Sequence, residues 1–226
     1  MIARRAATPA IERLAGRRAL VAGGGRRAAY LDLDGFVIVL GTAGPLLPNA
    51  VEVAELPAVG TEVVVRFDGA ETWDPTLRLG DDPVTRGAEI MRALAAELGD
   101  LAPAVQARDP ALAAAAGARL IGRGPGLTPE SDDLVAGVAA VVAAGPWPAA
   151  EREAWLRALL GETLRVRTTA LSATLLELAA RGHIAEPVHG LFGREWRDAL
   201  ARLRRLGHST GAAYARAAAG AARALL

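Results

Sequence analysis

The first third of the chain alternates short apolar runs with turns rich in glycine and proline. The runs that we predict as strands are residues 19–22, 29–34, 36–40, 51–53 and 61–67. Apolar runs of this length, bounded by glycine and proline, are typical of β-strands. Because several follow one another without a helix between them, they indicate a small barrel or sandwich. Residues 73–83 are predicted to lead out of it.

From residue 84 onward the apolar residues recur at helical spacing instead. A helix with Ile90, Met91 and Leu94 on one face is expected to stop by Gly99. Further helices are predicted at residues 110–120, 134–144, 149–166, 169–180, 194–206 and 209–225. The pattern predicts an α+β protein, with a small β-rich N-terminal barrel or sandwich (residues 1–82) packed on a larger all-α part (residues 83–226) that carries the site.

Composition narrows the classes of protein to consider. Of 226 residues, 52% are hydrophobic, which is enough to build a core. The chain has no cysteine, so disulfides and thiolate metal sites are excluded. Its formal net charge is only +1, with arginines interleaved among acidic residues, and we expect no nucleic-acid partner. No apolar run reaches signal-peptide or membrane-spanning length, so we expect a cytoplasmic protein without a membrane partner.

The most distinctive segment is residues 122–133, which read G-R-G-P-G-L-T-P-E-S-D-D. Its glycines allow a ligand to approach the main chain closely. Thr128 is predicted to cap a helix whose first residue is Pro129. The free N–H groups at a helix start attract anions, so we predict an anion site at this loop. The segment is neither a Walker loop nor a dinucleotide-binding fingerprint, since it lacks their lysine and their βαβ context.

Acidic residues in the first turn of that helix would repel a phosphate. A divalent cation resolves the conflict, because Mg²⁺ takes carboxylate and phosphate oxygens together. We therefore predict that Asp132, Asp133 or both are catalytic and hold Mg²⁺, directly or through water. Successive helical residues point about 100° apart, so only one of the two is expected to face the ligand. A well-capped helix with solvent-facing acids is the alternative.

Two further polar turns precede apolar helices. Residues 165–172 contain an arginine pair, two threonines and a serine, and residues 206–211 read L-G-H-S-T-G. Helix capping is the alternative explanation of both turns, and a histidine at a helix junction is more often a structural hydrogen bonder, but His208 is a candidate acid or base. Three helix starts converging on one pocket would suit a small anionic substrate. The residues predicted to bind it are Gly124, Gly126, Thr128, Arg167, Thr168, Thr169, Ser172, Ser209 and Gly211.

Taken in order, these motifs resemble the AllH-like family, named after a subunit associated with oxamate carbamoyltransferase in bacterial allantoin catabolism. Residues 122–133 are similar to the family's G-x-G-P-G-L-T-P-S-G-D-D signature, with Glu130-Ser131 in place of Ser-Gly. Residues 168–172 are similar to its T-T-x-x-S element, and residues 207–211 to its G-H-S-S-G turn. Gly44-Pro45 and residues 73–75 resemble its N-terminal part.

The resemblance implies a part in carbamoyl transfer between carbamoyl phosphate and oxamate, oxalurate or a related small carboxylate. It also implies a hetero-oligomer with other transferase subunits. Two alternatives stay open on the sequence alone. One is a non-catalytic subunit that binds a small anionic metabolite. The other is a Mg²⁺-dependent hydrolase of a small phosphorylated metabolite, in which Asp132 and Asp133 activate water.

Overall fold

A computed structural model describes residues 1–206 and 209–225. The chain forms two compact units, Met1–Pro75 and Thr76–Leu226. The first unit contains the strands, and the second is helical. The predicted α+β class is therefore confirmed.

The N-terminal unit is one curled, mixed sheet of seven strands in the order β6-β2-β3-β4-β5-β1-β7. The strands are β1 (Ala3–Ala7), β2 (Arg18–Gly24), β3 (Ala28–Leu33), β4 (Phe36–Gly41), β5 (Ala50–Val53), β6 (Glu62–Val64) and β7 (Glu71–Trp73). A short helix, α1 (Thr8–Leu14), follows β1.

The chain that follows β6 brings the two sides of this sheet together. β6 pairs with β2, whereas β7 pairs with β1 in a parallel register. Between them, the Arg66 N–H donates to the Met1 carbonyl at 2.9 Å, and the Ala3 N–H donates to the Arg66 carbonyl at 2.8 Å. This connection leaves few unpaired edges and gives the unit the character of a small barrel.

The helical unit contains α2 (Pro83–Leu94), α3 (Leu101–Ala107), α4 (Pro110–Leu120), α5 (Glu130–Ala144), α6 (Ala149–Leu160), α7 (Leu164–Arg167), α8 (Ala170–Ala179), α9 (Glu186–His189), α10 (Trp196–Leu203) and α11 (Thr210–Arg223). A 3-10 turn, Gly190–Phe192, follows α9. No helix in the described part of the chain is long and apolar enough to cross a membrane.

Helix α5 lies at the centre of this unit. It packs against α11 and α8, and all residues from Val135 to Val142 are buried, as the all-round apolar pattern predicts. The contact with α11 is close because a Cβ added at Gly137 would lie 2.6 Å from the Ala217 Cβ. The first turn of α5 is thereby held in place by helices that begin at the other two polar turns.

Several elements differ from the sequence predictions. β1 was missed because its A-R-R-A-A sequence lacks the β-branched and aromatic residues that mark strands. The predicted helix at residues 149–166 is two helices, α6 and α7. The break is at Gly161, whose φ of +67° is a conformation that glycine adopts without strain.

Candidate functional site

The loop between α4 and α5 begins the candidate site. Helix α5 starts at Glu130, one residue later than predicted, and Pro129 takes the capping position with φ −51° and ψ 138°. The prediction that Thr128 caps this helix is therefore wrong. No side chain caps α5; the Pro129 carbonyl instead accepts the N–H groups of Asp132 and Asp133 at 2.9 and 3.2 Å. The Ser131 hydroxyl donates to the Arg123 carbonyl and closes the loop on the helix.

The Asp132 carboxylate connects this loop to the second polar turn. It is 1% exposed. Its Oδ1 accepts the Gly122 N–H at 2.6 Å, and its Oδ2 accepts the hydroxyl of Thr168. Because both oxygens are engaged by donors from distant parts of the chain, Asp132 fixes the position of the loop relative to α8.

Only glycine fits where the loop leaves α4. Gly122 has a φ of +82°, and a Cβ added there would lie 2.0 Å from the Arg167 carbonyl oxygen. The Arg167 guanidinium reaches back and donates to the Gly117 carbonyl at 2.6 Å. One guanidinium nitrogen of Arg167 is thus hydrogen-bonded within the protein. A contact between Arg167 and a substrate stays a prediction.

Thr169 joins the loop to the start of α8. As predicted for this turn, it caps the helix, because its Oγ1 accepts the Ser172 N–H at 3.1 Å. The same hydroxyl donates to the Leu127 carbonyl at 2.5 Å. Ser172 itself is buried. The second polar turn therefore holds the glycine loop at two points, Thr168 and Thr169.

Asp133 faces the third polar turn. It is 2% exposed and receives a hydrogen bond from the side chain of Thr210, the first residue of α11. Its Oδ2 is buried and has no hydrogen-bond partner within residues 1–206 and 209–225. Burial raises the pKa of Asp133 from its ordinary 3.8 to about 7; Thr210 opposes this shift, whereas the charges of Asp132 and Glu130 add to it.

The start of α11 is shaped by close packing. A Cβ at Gly211 would lie 1.6 Å from the Leu203 carbonyl oxygen, so this glycine lets α11 begin against the end of α10. Ser209 occupies the capping position, but its side chain makes no capping hydrogen bond. The predicted acid or base, His208, lies outside the described residues.

Three further side chains complete the surroundings of the two aspartates. Tyr214, one turn after Thr210, is fully buried; burial and the nearby carboxylates of Asp133 and Asp132 raise its pKa well above 10 and keep it neutral. Arg216 pairs with Glu130 at 3.8 Å. The sequence analysis overlooked these contacts of α11. The one available signal was the i, i+4 spacing of Thr210 and Tyr214, which places both on one helix face.

The three turns thus meet at the first turn of α5. In front of them, the N–H groups of Gly124, Gly126, Leu127 and Thr128 make no hydrogen bond to the described residues. Gly124 and Gly126 have φ values of +119° and +97°, so the loop depends on glycine at both positions. Free N–H groups beside the positive end of a helix dipole can bind a small anion.

Residues 120–224 match the family model described as oxamate carbamoyltransferase subunit AllH. The match covers just under half of the chain, and residues 120–224 are called the AllH domain below, after the model that they match. The resemblance inferred from the motifs is thereby confirmed over these residues. The AllH domain spans all three turns and every helix from α5 to α11, whereas the strands of the N-terminal unit precede it. No curated protein and no solved structure matches the chain.

The surroundings of the two aspartates bear on the prediction that they hold Mg²⁺. Among the described residues no three carboxylate or imidazole side chains lie together in a way that could hold a metal ion. Both oxygens of Asp132 already accept a hydrogen bond and the side chain is 1% exposed, so a directly bound cation would have to share these buried oxygens with Gly122 and Thr168. Magnesium at Asp132 or Asp133 stays a prediction.

Replacing Thr168 with valine should destabilise the AllH domain. The substitution keeps the shape of the side chain but leaves a buried oxygen of Asp132 without its donor, which costs about 1–3 kcal/mol. Urea unfolding should show this loss. The exposed Thr163, whose side chain does not cap α7, provides the control. Equal stabilities of Thr168→Val and Thr163→Val would contradict the role assigned to Asp132.

Asp133 should make the stability of the protein depend on pH. Its pKa is higher in the folded chain than in the unfolded one, so the folded state keeps a proton that the unfolded state releases. The stabilisation is full below about pH 4, declines as the pH rises and is lost above about pH 7.

The comparison of wild type with Asp133→Asn isolates this contribution. From about pH 5 to about pH 8, the free energy of unfolding of the wild type should fall relative to the variant by up to about 3 kcal/mol, at 1.36 kcal/mol per pH unit. Denaturant titrations at several pH values measure it. A constant difference between the two proteins would show that Asp133 titrates normally.

Proposed function

We propose that the chain is a subunit of a carbamoyltransferase and binds oxamate, oxalurate or a related small carboxylate together with carbamoyl phosphate. One observation carries the proposal: polar side chains from three separate turns meet at the first turn of α5. The family match over residues 120–224 supports the choice of reaction, since its description names oxamate carbamoyltransferase.

The glycine loop supplies the groups that would hold the anions. The N–H groups of residues 124, 126, 127 and 128 make no hydrogen bond within residues 1–206 and 209–225 and can donate to phosphate or carboxylate oxygens; the dipole of α5 favours negative charge there. The ion pair with Arg216 offsets the charge of Glu130, the first residue of α5. This pairing lessens the repulsion that the sequence alone suggested.

In the proposed reaction the amide nitrogen of oxamate attacks the carbonyl carbon of carbamoyl phosphate. A C–N bond forms, the C–O bond to phosphate breaks with its electron pair going to the phosphate, and the proton lost by the amide nitrogen is taken up by the departing phosphate. The products are oxalurate and inorganic phosphate. Donors that are already in position around the developing negative charge lower the barrier, because they need no reorganisation during the reaction.

A hetero-oligomer is part of the proposal. The matched family is described as a subunit, so turnover is expected when the chain is combined with the other subunits of the transferase. A non-catalytic subunit that only binds the metabolite is the second candidate. One observation favours this second candidate. The buried Asp132 carboxylate holds the glycine loop in place through its bonds to Gly122 and Thr168, which is a structural role.

Two glycine variants test where the ligands bind. Gly126 and Gly99 both have positive φ, and a Cβ at either would meet open space, so alanine strains the backbone similarly at both positions. Only Gly126 belongs to the loop. We expect carbamoyl phosphate or oxamate to stabilise wild type and Gly99→Ala in a thermal-shift assay, by about 2.7 kcal/mol at 100 times the dissociation constant. Gly126→Ala should lose this stabilisation.

Turnover is measured next as phosphate release from carbamoyl phosphate and oxamate, with and without partner subunits. Binding with turnover in the complex supports the transferase. Binding without turnover in every combination favours the non-catalytic subunit. The proposal is wrong if neither ligand stabilises the wild type, or if Gly126→Ala binds as well as Gly99→Ala.

A further inference from the structure

We propose that the Asp133 carboxylate recognises the amide N–H of the acceptor substrate, and that its neighbour Asp132 is a positioning residue that never contacts substrate. The assignment rests on the proposed function and adds to it a specificity-determining residue. It follows from the different surroundings of two chemically identical side chains.

One carboxylate oxygen of Asp133 has no hydrogen-bond donor in the described part of the chain. The side chain is 2% exposed, and Thr210 donates a single hydrogen bond to it. Its Oδ2 has no partner anywhere in the described part of the chain. A buried acceptor without a donor costs about 1–3 kcal/mol, and folded proteins seldom leave one in place. A ligand that brings a donor to Oδ2 recovers this energy on binding.

The charges around Asp133 decide which kind of ligand group is suitable. Asp132 and Glu130 lie on its own helix, and from α11 it is faced by Thr210 and the neutral Tyr214. Arg216 of α11 is paired with Glu130 at 3.8 Å. An amide N–H can donate to Oδ2 without adding charge. A second carboxylate at the same place would add a further negative charge and offer no donor.

Asp132 lacks this capacity. Each of its oxygens already accepts a hydrogen bond from the protein, one from the Gly122 N–H and one from the Thr168 hydroxyl, and the side chain is 1% exposed. It therefore shapes the loop for any ligand and does not distinguish between an amide and a carboxylate. Removing its charge should weaken all ligands alike.

Oxamate and oxalate provide the decisive comparison, because they differ by an amide in place of one carboxylate. Isothermal titration of the full-length chain at about pH 8.5, where Asp133 is ionised, measures both dissociation constants. Wild type should bind oxamate at least about tenfold more tightly than oxalate, since a site with a buried hydrogen-bonding group rejects an analogue that cannot pair with it.

Asp133→Asn should reverse or abolish this preference. The asparagine Oδ1 can still accept from Thr210, which leaves the Nδ2 amide in the place of Oδ2 as a donor to oxalate. Asp132→Asn introduces the same chemical change one residue earlier. It should weaken oxamate and oxalate by similar factors, so the ratio of the two dissociation constants should remain that of the wild type.

The possible outcomes separate this assignment from the proposed function. A changed ratio in Asp133→Asn with an unchanged ratio in Asp132→Asn supports it. An unchanged ratio in Asp133→Asn, or an equal change in both variants, overturns it while leaving the proposed function in place. If wild type binds neither oxamate nor carbamoyl phosphate, the proposed function fails, and the assignment fails with it.

Discussion

The arrangement of the AllH domain depends on the two hydrogen bonds that the Asp132 carboxylate accepts. The donors are 10 and 36 residues away in the sequence, at Gly122 and Thr168. Burying a carboxylate costs free energy unless donors of the protein supply hydrogen bonds to it, as Gly122 and Thr168 do here. The two hydrogen bonds therefore fix three elements relative to one another: the glycine loop, the first turn of α5 and the start of α8. Thr169 strengthens the same connection through the Leu127 carbonyl.

The geometry of the helix gives adjacent aspartates different roles. Because successive residues point about 100° apart, Asp132 faces the turn before α8, whereas Asp133 faces the start of α11. The first is satisfied by the protein. The second is desolvated, has one oxygen without a partner in the described residues, and holds its proton up to about pH 7. Functional sites often contain a group that destabilises the fold in this way, because the same group is already placed to interact with a ligand.

Much of this arrangement could be predicted from the sequence, and the errors have physical causes. The all-round apolar pattern after Asp133 correctly predicted the buried helix α5. The cap of that helix was predicted wrongly because Pro129, in an extended conformation, takes the capping position instead of Thr128, and a proline side chain has no oxygen that could accept an N–H. Thr210, Tyr214 and Arg216 were overlooked because their role comes from the packing of α11 on α5, and tertiary contacts of this kind leave no periodic signal. The substrate-binding roles of Arg167, Ser172 and Gly211 remain predictions.

The most direct test of the account is a crystal structure of the protein with oxamate and inorganic phosphate bound. Both anions should lie against the loop from Gly124 to Thr128, with the oxamate amide within hydrogen-bond distance of Asp133 Oδ2 and with Asp132 still bound to Gly122 and Thr168. Ligands bound elsewhere, or an Asp132 side chain that turns away from Gly122 and Thr168 to contact them, would contradict it.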